Sequence, residues 1–192
     1  MPPKVKITRE EIINTAIELV RANGETALNA RAISTALNCS TQPVFSNFAT
    51  MNDLNKTVIH SVYELYLDFI NKEVQSGKYP QYKAYGMAYI RFATEEKELF
   101  RLLFMRDRTN EDISPSIDFE RSVELIMEAN GVSKEEAMLM HLEMWTCVHG
   151  IGVMIVTSFL SFDQELISKM ISDIYQGVRS RHLLEDNKNE CN

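Results

Sequence analysis

Thr8 and Glu11 form a T-x-x-E pair, and behind them Ile12, Ile13, Ala16, Ile17 and Val20 fall on one side of a 3.6-residue repeat. A cap followed by an apolar stripe of helical period limits the fold more than any other feature, because it returns along the whole chain. Gly24 closes the first run. Asn29 is placed to cap a short second helix carrying Ile33, Ala36 and Leu37, and Asn38 tolerates the left-handed conformation of a tight turn. Ser40 is expected to cap a third, with Pro43 in its first turn and Val44, Phe45 and Phe48 on its apolar side.

Thr50 and Asp53 open a longer fourth helix with Leu54, Val58, Val62, Leu65, Tyr66 and Phe69, which Gly77 and Pro80 break. A fifth is expected over about residues 81–93 and a sixth over about 95–106. After a polar loop from Asp107 to Pro115, a seventh ends at Asn130-Gly131. Ser133 with Glu136 caps an eighth, and Asp163 caps a ninth that carries Leu166, Ile167, Met170, Ile171, Ile174, Tyr175 and Val178. The tail from Leu184 is polar and expected to be loose. No strand-like alternation competes, so the predicted class is all-α, with about nine helices.

Charge divides this chain unevenly. Residues 1–48 hold five basic and four acidic side chains, while the remaining 15 basic and 23 acidic residues supply the rest of the net charge of −7. An acidic body repels phosphate, so any contact with nucleic acid has to come from the N-terminal end. The segment Asn29–Phe48 suits that role. Two short helices joined by Leu37-Asn38-Cys39-Ser40 have the helix-turn-helix layout, whose second helix enters the major groove. Val44 and Phe48 would face inward, and Thr41, Gln42, Ser46 and Asn47 would offer donors and acceptors outward. On spacing alone an ordinary helical hairpin with a polar solvent face fits equally well.

Residues 7–60 resemble the DNA-binding domain of the tetracycline-repressor (TetR) family, through Asn29-Ala30-Arg31-Ala32-Ile33-Ser34, the turn Asn38-Cys39-Ser40, the recognition segment Val44-Phe45-Ser46-Asn47-Phe48, and Leu54. The chain departs from that pattern at Phe45, where the family usually carries a Tyr, and at Ala49 and Met51, where Lys is common; residues 41–48 contain no Lys or Arg. The resemblance implies a domain over residues 1–49 that binds a double-stranded, pseudo-palindromic operator through Arg31, Ser40, Thr41, Gln42, Phe45, Ser46, Asn47 and Lys56, with Lys6 in the basic arm Lys4–Arg9. Phe45 enters by its place in the motif, although an aromatic there suits packing better than a DNA contact.

Residues 50–192 would then form a ligand-sensing and dimerisation domain. Trp145-x-x-x-His149-Gly150 resembles a motif of one group of TetR-type C-terminal domains, and Glu98–Phe104 also looks typical of them. An inducer cavity would draw on Tyr63, Tyr66, Tyr89, Phe92, Phe104, Met144, Trp145 and His149; the competing reading makes His149 a satisfied core residue and the aromatics plain core. Gly150 and Gly152 suggest that another helix approaches closely. The last two helices are apolar around much of their circumference, so a second copy is expected to cover them in a four-helix bundle, as in the resembling family.

Cys39, Cys147 and Cys191 are odd in number and far apart, so neither a disulfide framework nor a zinc site is expected, and a cytoplasmic setting fits. Met144–Phe162 carries no formal charge, but its polar residues and acidic flanks favour a buried helix over a membrane span. No catalytic motif, metal site or cofactor-binding loop is present. The reading is a ligand-relieved transcriptional regulator, expected to be a repressor, with double-stranded DNA, a small apolar inducer and a second copy as partners. The alternative is a helical protein–protein interaction module that has lost specific DNA binding.

Overall fold

The computed structural model describes residues 7–109 and 117–189, and for the side chains of Ile117 and of residues 183–189 nothing is stated. The expected loop from Asp107 to Pro115 falls largely outside these residues, as does Lys6. Among the described residues the chain is all-α: α1 (Arg9–Asn23), α2 (Ala30–Ala36), α3 (Gln42–Asn47), α4 (Met51–Gln75), α5 (Gln81–Glu95), α6 (Lys97–Phe104), α7 (Ile117–Asn130), α8 (Lys134–Val156) and α9 (Gln164–Asn189). A single 3₁₀ turn, Glu25–Ala27, links α1 to α2.

Most helix starts are where the cap residues put them. Thr8 and Ser133 each form a reciprocal capping box, with Glu11 and Glu136. Thr50 and Asp53 exchange the same pair of bonds at 3.0 and 3.1 Å, and Asp163 Oδ1 accepts from the Leu166 amide at 2.7 Å. Asn29 caps α2 by accepting from the Ala32 amide at 2.9 Å. Gly24, Gly77 and Gly131 all take positive φ, as does Asn38 at 50°.

Two ends differ from expectation. The N-cap of α3 is Thr41, not Ser40, and its side chain makes no capping bond; Pro43 sits in the first turn, where its missing amide hydrogen has no partner to lose. The tail expected to be loose from Leu184 continues α9 as far as Asn189. The uncharged run Met144–Phe162 is not one helix: α8 stops at Val156, Thr157 caps it, and Ser158 turns with φ 55°. By length and composition α8 could cross a membrane, but it packs against α7 and α9 through Ala137, Met140, Met144, Val148 and Ile151.

The chain divides into two compact units. The first joins the segment up to Asp68 with Glu95–Asp107; the second joins Phe69–Thr94 with the chain from Arg108 onward. In the first, Ile12, Ala16 and Val20 of α1, Ile33 of α2, Val44 and Phe48 of α3, and Leu54, Val58 and Val62 of α4 are buried together with Leu99, Phe100 and Leu102 of α6. Arg21 of α1 fixes α6 by donating to both carboxylate oxygens of Glu96, at 2.7 and 3.1 Å. Glu96 is the N-cap position of α6, and its carboxylate serves Arg21 instead of capping the helix.

In the second unit α5 lies close to α8 and α9. A methyl group at Gly86 would stand 3.5 Å from Val148 Cγ2 and 3.9 Å from Ile171 Cδ1. Among the described residues nothing lies within 4 Å of where a Cβ at Gly150 would be, so none of them makes the close approach expected there.

Candidate nucleic-acid interface and sensing residues

The recognition segment is seated from below and open above. Val44 is fully buried and Phe48 is 4% exposed, while Thr41, Gln42, Phe45 and Ser46 face solvent. On a 3.6-residue helix, positions 42, 45 and 46 share one side and 44 lies opposite, so a single buried valine sets which side chains point outward. Phe45 is half exposed, which overturns the expectation that it packs inward.

The polar groups differ in what they have left to offer. Ser46 Oγ donates to the Gln42 carbonyl at 2.8 Å, and Asn47 Nδ2 donates to the Pro43 carbonyl at 2.8 Å. The Ser46 hydroxyl proton and one of the two amide protons of Asn47 are thus bound back into α3. Arg31 on α2, Ser40 in the turn and Lys56 on α4 are exposed. Arg9, grouped with the basic arm in the sequence reading, begins α1 instead. Its guanidinium lies 4.7 Å above the centre of the Phe48 ring and donates to Thr57 Oγ1 at 3.0 Å, tying α1 to the end of α3 and to α4.

The residues assigned to an inducer cavity fall into both units. In the first, the Tyr66 ring packs edge-on against Phe104 at 5.3 Å and lies 6.0 Å from Tyr63. In the second, Phe92 is fully buried and meets Phe69 edge-on at 5.2 Å, and Met144 is buried as well. Trp145, 44% exposed, stacks on His149 at 5.2 Å with 21° between the rings.

The second unit also contains a feature absent from the sequence reading. Tyr89 Oη meets His149 Nδ1 at 2.7 Å, and two turns away Tyr82 Oη meets His141 Nδ1 at 3.1 Å. Burial raises the phenol pKa of both tyrosines and lowers that of both imidazoles, His141 to about 4. The phenols therefore stay protonated and the imidazoles neutral, so each phenol can donate to Nδ1. The signal was in the spacing: the tyrosines are seven apart on α5 and the histidines eight apart on α8, which is two turns on each helix.

His141 is further enclosed by Phe119, edge-on at 4.7 Å. Its depressed pKa has a consequence for stability. Below pH 6.5 the unfolded chain binds a proton that the folded chain refuses until about pH 4, so stability falls as pH is lowered through that window. Between pH 7 and 5 the loss should be about 2 kcal/mol, with His149 adding in the same direction. Urea unfolding at the two pH values measures it, and His141→Gln should flatten the dependence; an unchanged slope in that variant would assign it to other groups.

Residues 82–173 match the family model described as the tetracyclin repressor-like, C-terminal domain. Over these residues the chain is similar to that domain. The Tyr–His pairs and the Trp145–His149 stack lie inside the matched residues. The fold of the whole chain agrees. A TetR-like transcriptional regulator from Rhodococcus sp. RHA1 superposes with a TM-score of 0.65 at 12% identity, over 96% of this chain and 98% of that one. A TetR family member from Streptomyces coelicolor A3 superposes with a TM-score of 0.62 at 14% identity, over 86% and 96%. No curated protein sequence matches.

Proposed function

We propose that this chain is a DNA-binding transcriptional regulator of the TetR type, in which residues 1–49 read an operator and residues 50–192 sense a ligand and dimerise. The observation that carries the reading is the seating of α3: apolar residues hold it down, and a polar face with one aromatic is left open to solvent. Arg31, Lys56 and Lys6 supply the phosphate contacts, and Ser40, Thr41, Gln42, Phe45, Ser46 and Asn47 lie along the face turned to the groove.

Dimerisation rests on α8. Met138, Leu139, Leu142 and Trp145 are 38–49% exposed, and the turn after α8 leaves Phe159 75% exposed. Spaced three and four apart, the α8 residues form an apolar stripe that one chain leaves uncovered. A two-fold axis beside that stripe covers it with its own copy and presents two recognition helices to a pseudo-palindromic site.

In this reading a small, largely apolar inducer is held in the second unit, at Tyr89, Phe92, Met144, Trp145 and His149, and it lowers operator affinity by favouring a dimer with a different spacing of the recognition helices. Tyr89 holds the His149 ring in one orientation, so a polar group on the ligand meets a preset hydrogen-bonding partner. The action is repression relieved by ligand.

A gel shift with the DNA flanking the chain's own gene tests the reading, with Arg31→Ala beside the parent. Few cations are available, so log K against log salt should have a slope shallower than about −9, the value for ten released counterions per dimer. Arg31→Ala should weaken binding to all sequences and reduce the slope by about 2 per dimer. The second reading, a protein–protein module, draws on the uncharged segment 41–48 and on the exposed ring of Phe45. A complete lack of sequence-specific shift at low salt would favour it.

A further inference from the structure

We infer that the operator half-site contains an A·T pair read by Gln42, with a thymine methyl in an adjacent step covered by Phe45. The inference rests on the DNA-binding reading above and deepens it. Guanine offers two acceptors, N7 and O6, toward the major groove, and reading them together takes a side chain with two donors directed forward, usually Arg or Lys. Segment 41–48 has neither. What it does have is unequal. The Ser46 hydroxyl donates its one proton to the Gln42 carbonyl, and Asn47, half-buried, commits one of its two amide protons to the Pro43 carbonyl, so both side chains are held back toward α3.

The Gln42 side chain stands exposed at the start of α3, on the side opposite the buried Val44. An amide presents one donor and one acceptor side by side. Adenine presents the complementary pair, N6–H₂ and N7, whereas guanine would set its O6 against the amide oxygen. One turn along the same side stands Phe45, half exposed. A phenyl ring has no hydrogen bond to give, and the apolar group that the major groove offers it is the C5 methyl of thymine. Three residues separate Gln42 from Phe45, so the amide and the ring reach the groove together. Amide and phenyl in this order thus describe an A·T-containing step and exclude a guanine-anchored one.

Selection of binding duplexes from a random library by the purified full-length protein tests this, followed by affinity measurements on the selected duplex. The expected result is one invariant A·T pair per half-site, lost in selection by Gln42→Ala, which should relax discrimination there by about tenfold. Replacing the adjacent thymine by uracil removes only the methyl. It should weaken binding by the parent about three- to fourfold per half-site and leave binding by Phe45→Ala unchanged. Both side chains are exposed, and circular dichroism of the variants verifies folding. Invariant G·C at the position opposite α3, or a uracil duplex bound as tightly as the parent duplex, would overturn the inference while leaving the regulator reading intact. Failure to select any sequence would overturn both.

Discussion

Leu142→Arg should turn the protein from a dimer into a monomer and weaken operator binding by about 10²- to 10⁴-fold. Leu142 is 45% exposed and sits on α8 between Leu139 on one turn and Trp145 on the next. In a symmetric pair the same stripe meets itself, so one substitution places two guanidinium groups close together in an apolar seam. Two unpaired charges taken from water are far more costly than the leucine contacts they replace. The DNA effect follows from avidity. Once one recognition helix is bound, the second binds at a local concentration set by the dimer, and breaking the dimer removes that gain without touching α3. Light scattering after size exclusion reads the mass, and a gel shift reads the affinity. Leu142→Met, which keeps the volume and the apolar surface, should remain dimeric. A Leu142→Arg protein that stays dimeric would place the interface elsewhere.

Phe100→Ala should destabilise the protein by about 3–5 kcal/mol, and the damage should appear in α1. Phe100 is fully buried in α6 and lies 5.1 Å from the Phe104 ring, in the same compact unit as α1, α2 and α3. Truncating a buried phenyl loses its transfer energy and leaves a cavity that close-packed neighbours only partly fill. For a chain of this size that amounts to a fall in Tm on the order of 10 °C. Hydrogen exchange gives the sharper test. Amides of α1 should lose protection along with those of α6, although the two helices are more than seventy residues apart in sequence, because they share one core. Exchange that rises in α6 alone would show that α1 does not depend on it.

These two cases mark what could be read from the sequence and what could not. Caps and stripes are local, and they were legible: Thr8 with Glu11, Asn29, Ser133 with Glu136 and Asp163 all start the helices they were expected to start. Ser40 misled by one residue because Ser40 and Thr41 are both capping types, and where neither side chain binds the helix the start is set by how Val44 and Phe48 are seated. The all-α class and the inward roles of Val44 and Phe48 followed from period alone. Partition of the helices did not, because α6 has the same apolar look whichever unit receives it. Its core packing and the pairing of Arg21 with Glu96 reveal its side, and partners 75 residues apart leave no local pattern. Gly150 names no neighbour for a related reason, since the cost of a helical glycine says that a close approach is possible but not which helix makes it. Phe45 misled because an aromatic residue in a short helix is ordinarily sought in a core, whereas this one sits on the side opposite the anchor.

The division of the chain has a consequence for how its first unit is completed. The backbone passes between the units three times, at Asp68–Phe69, Thr94–Glu95 and Asp107–Arg108, and the first passage lies within an unbroken helix. The carboxylate at the head of α6, gripped by an arginine from the first helix, returns the chain to the body it left at Asp68, so the N-terminal unit is complete only once the residues up to Asp107 are in place.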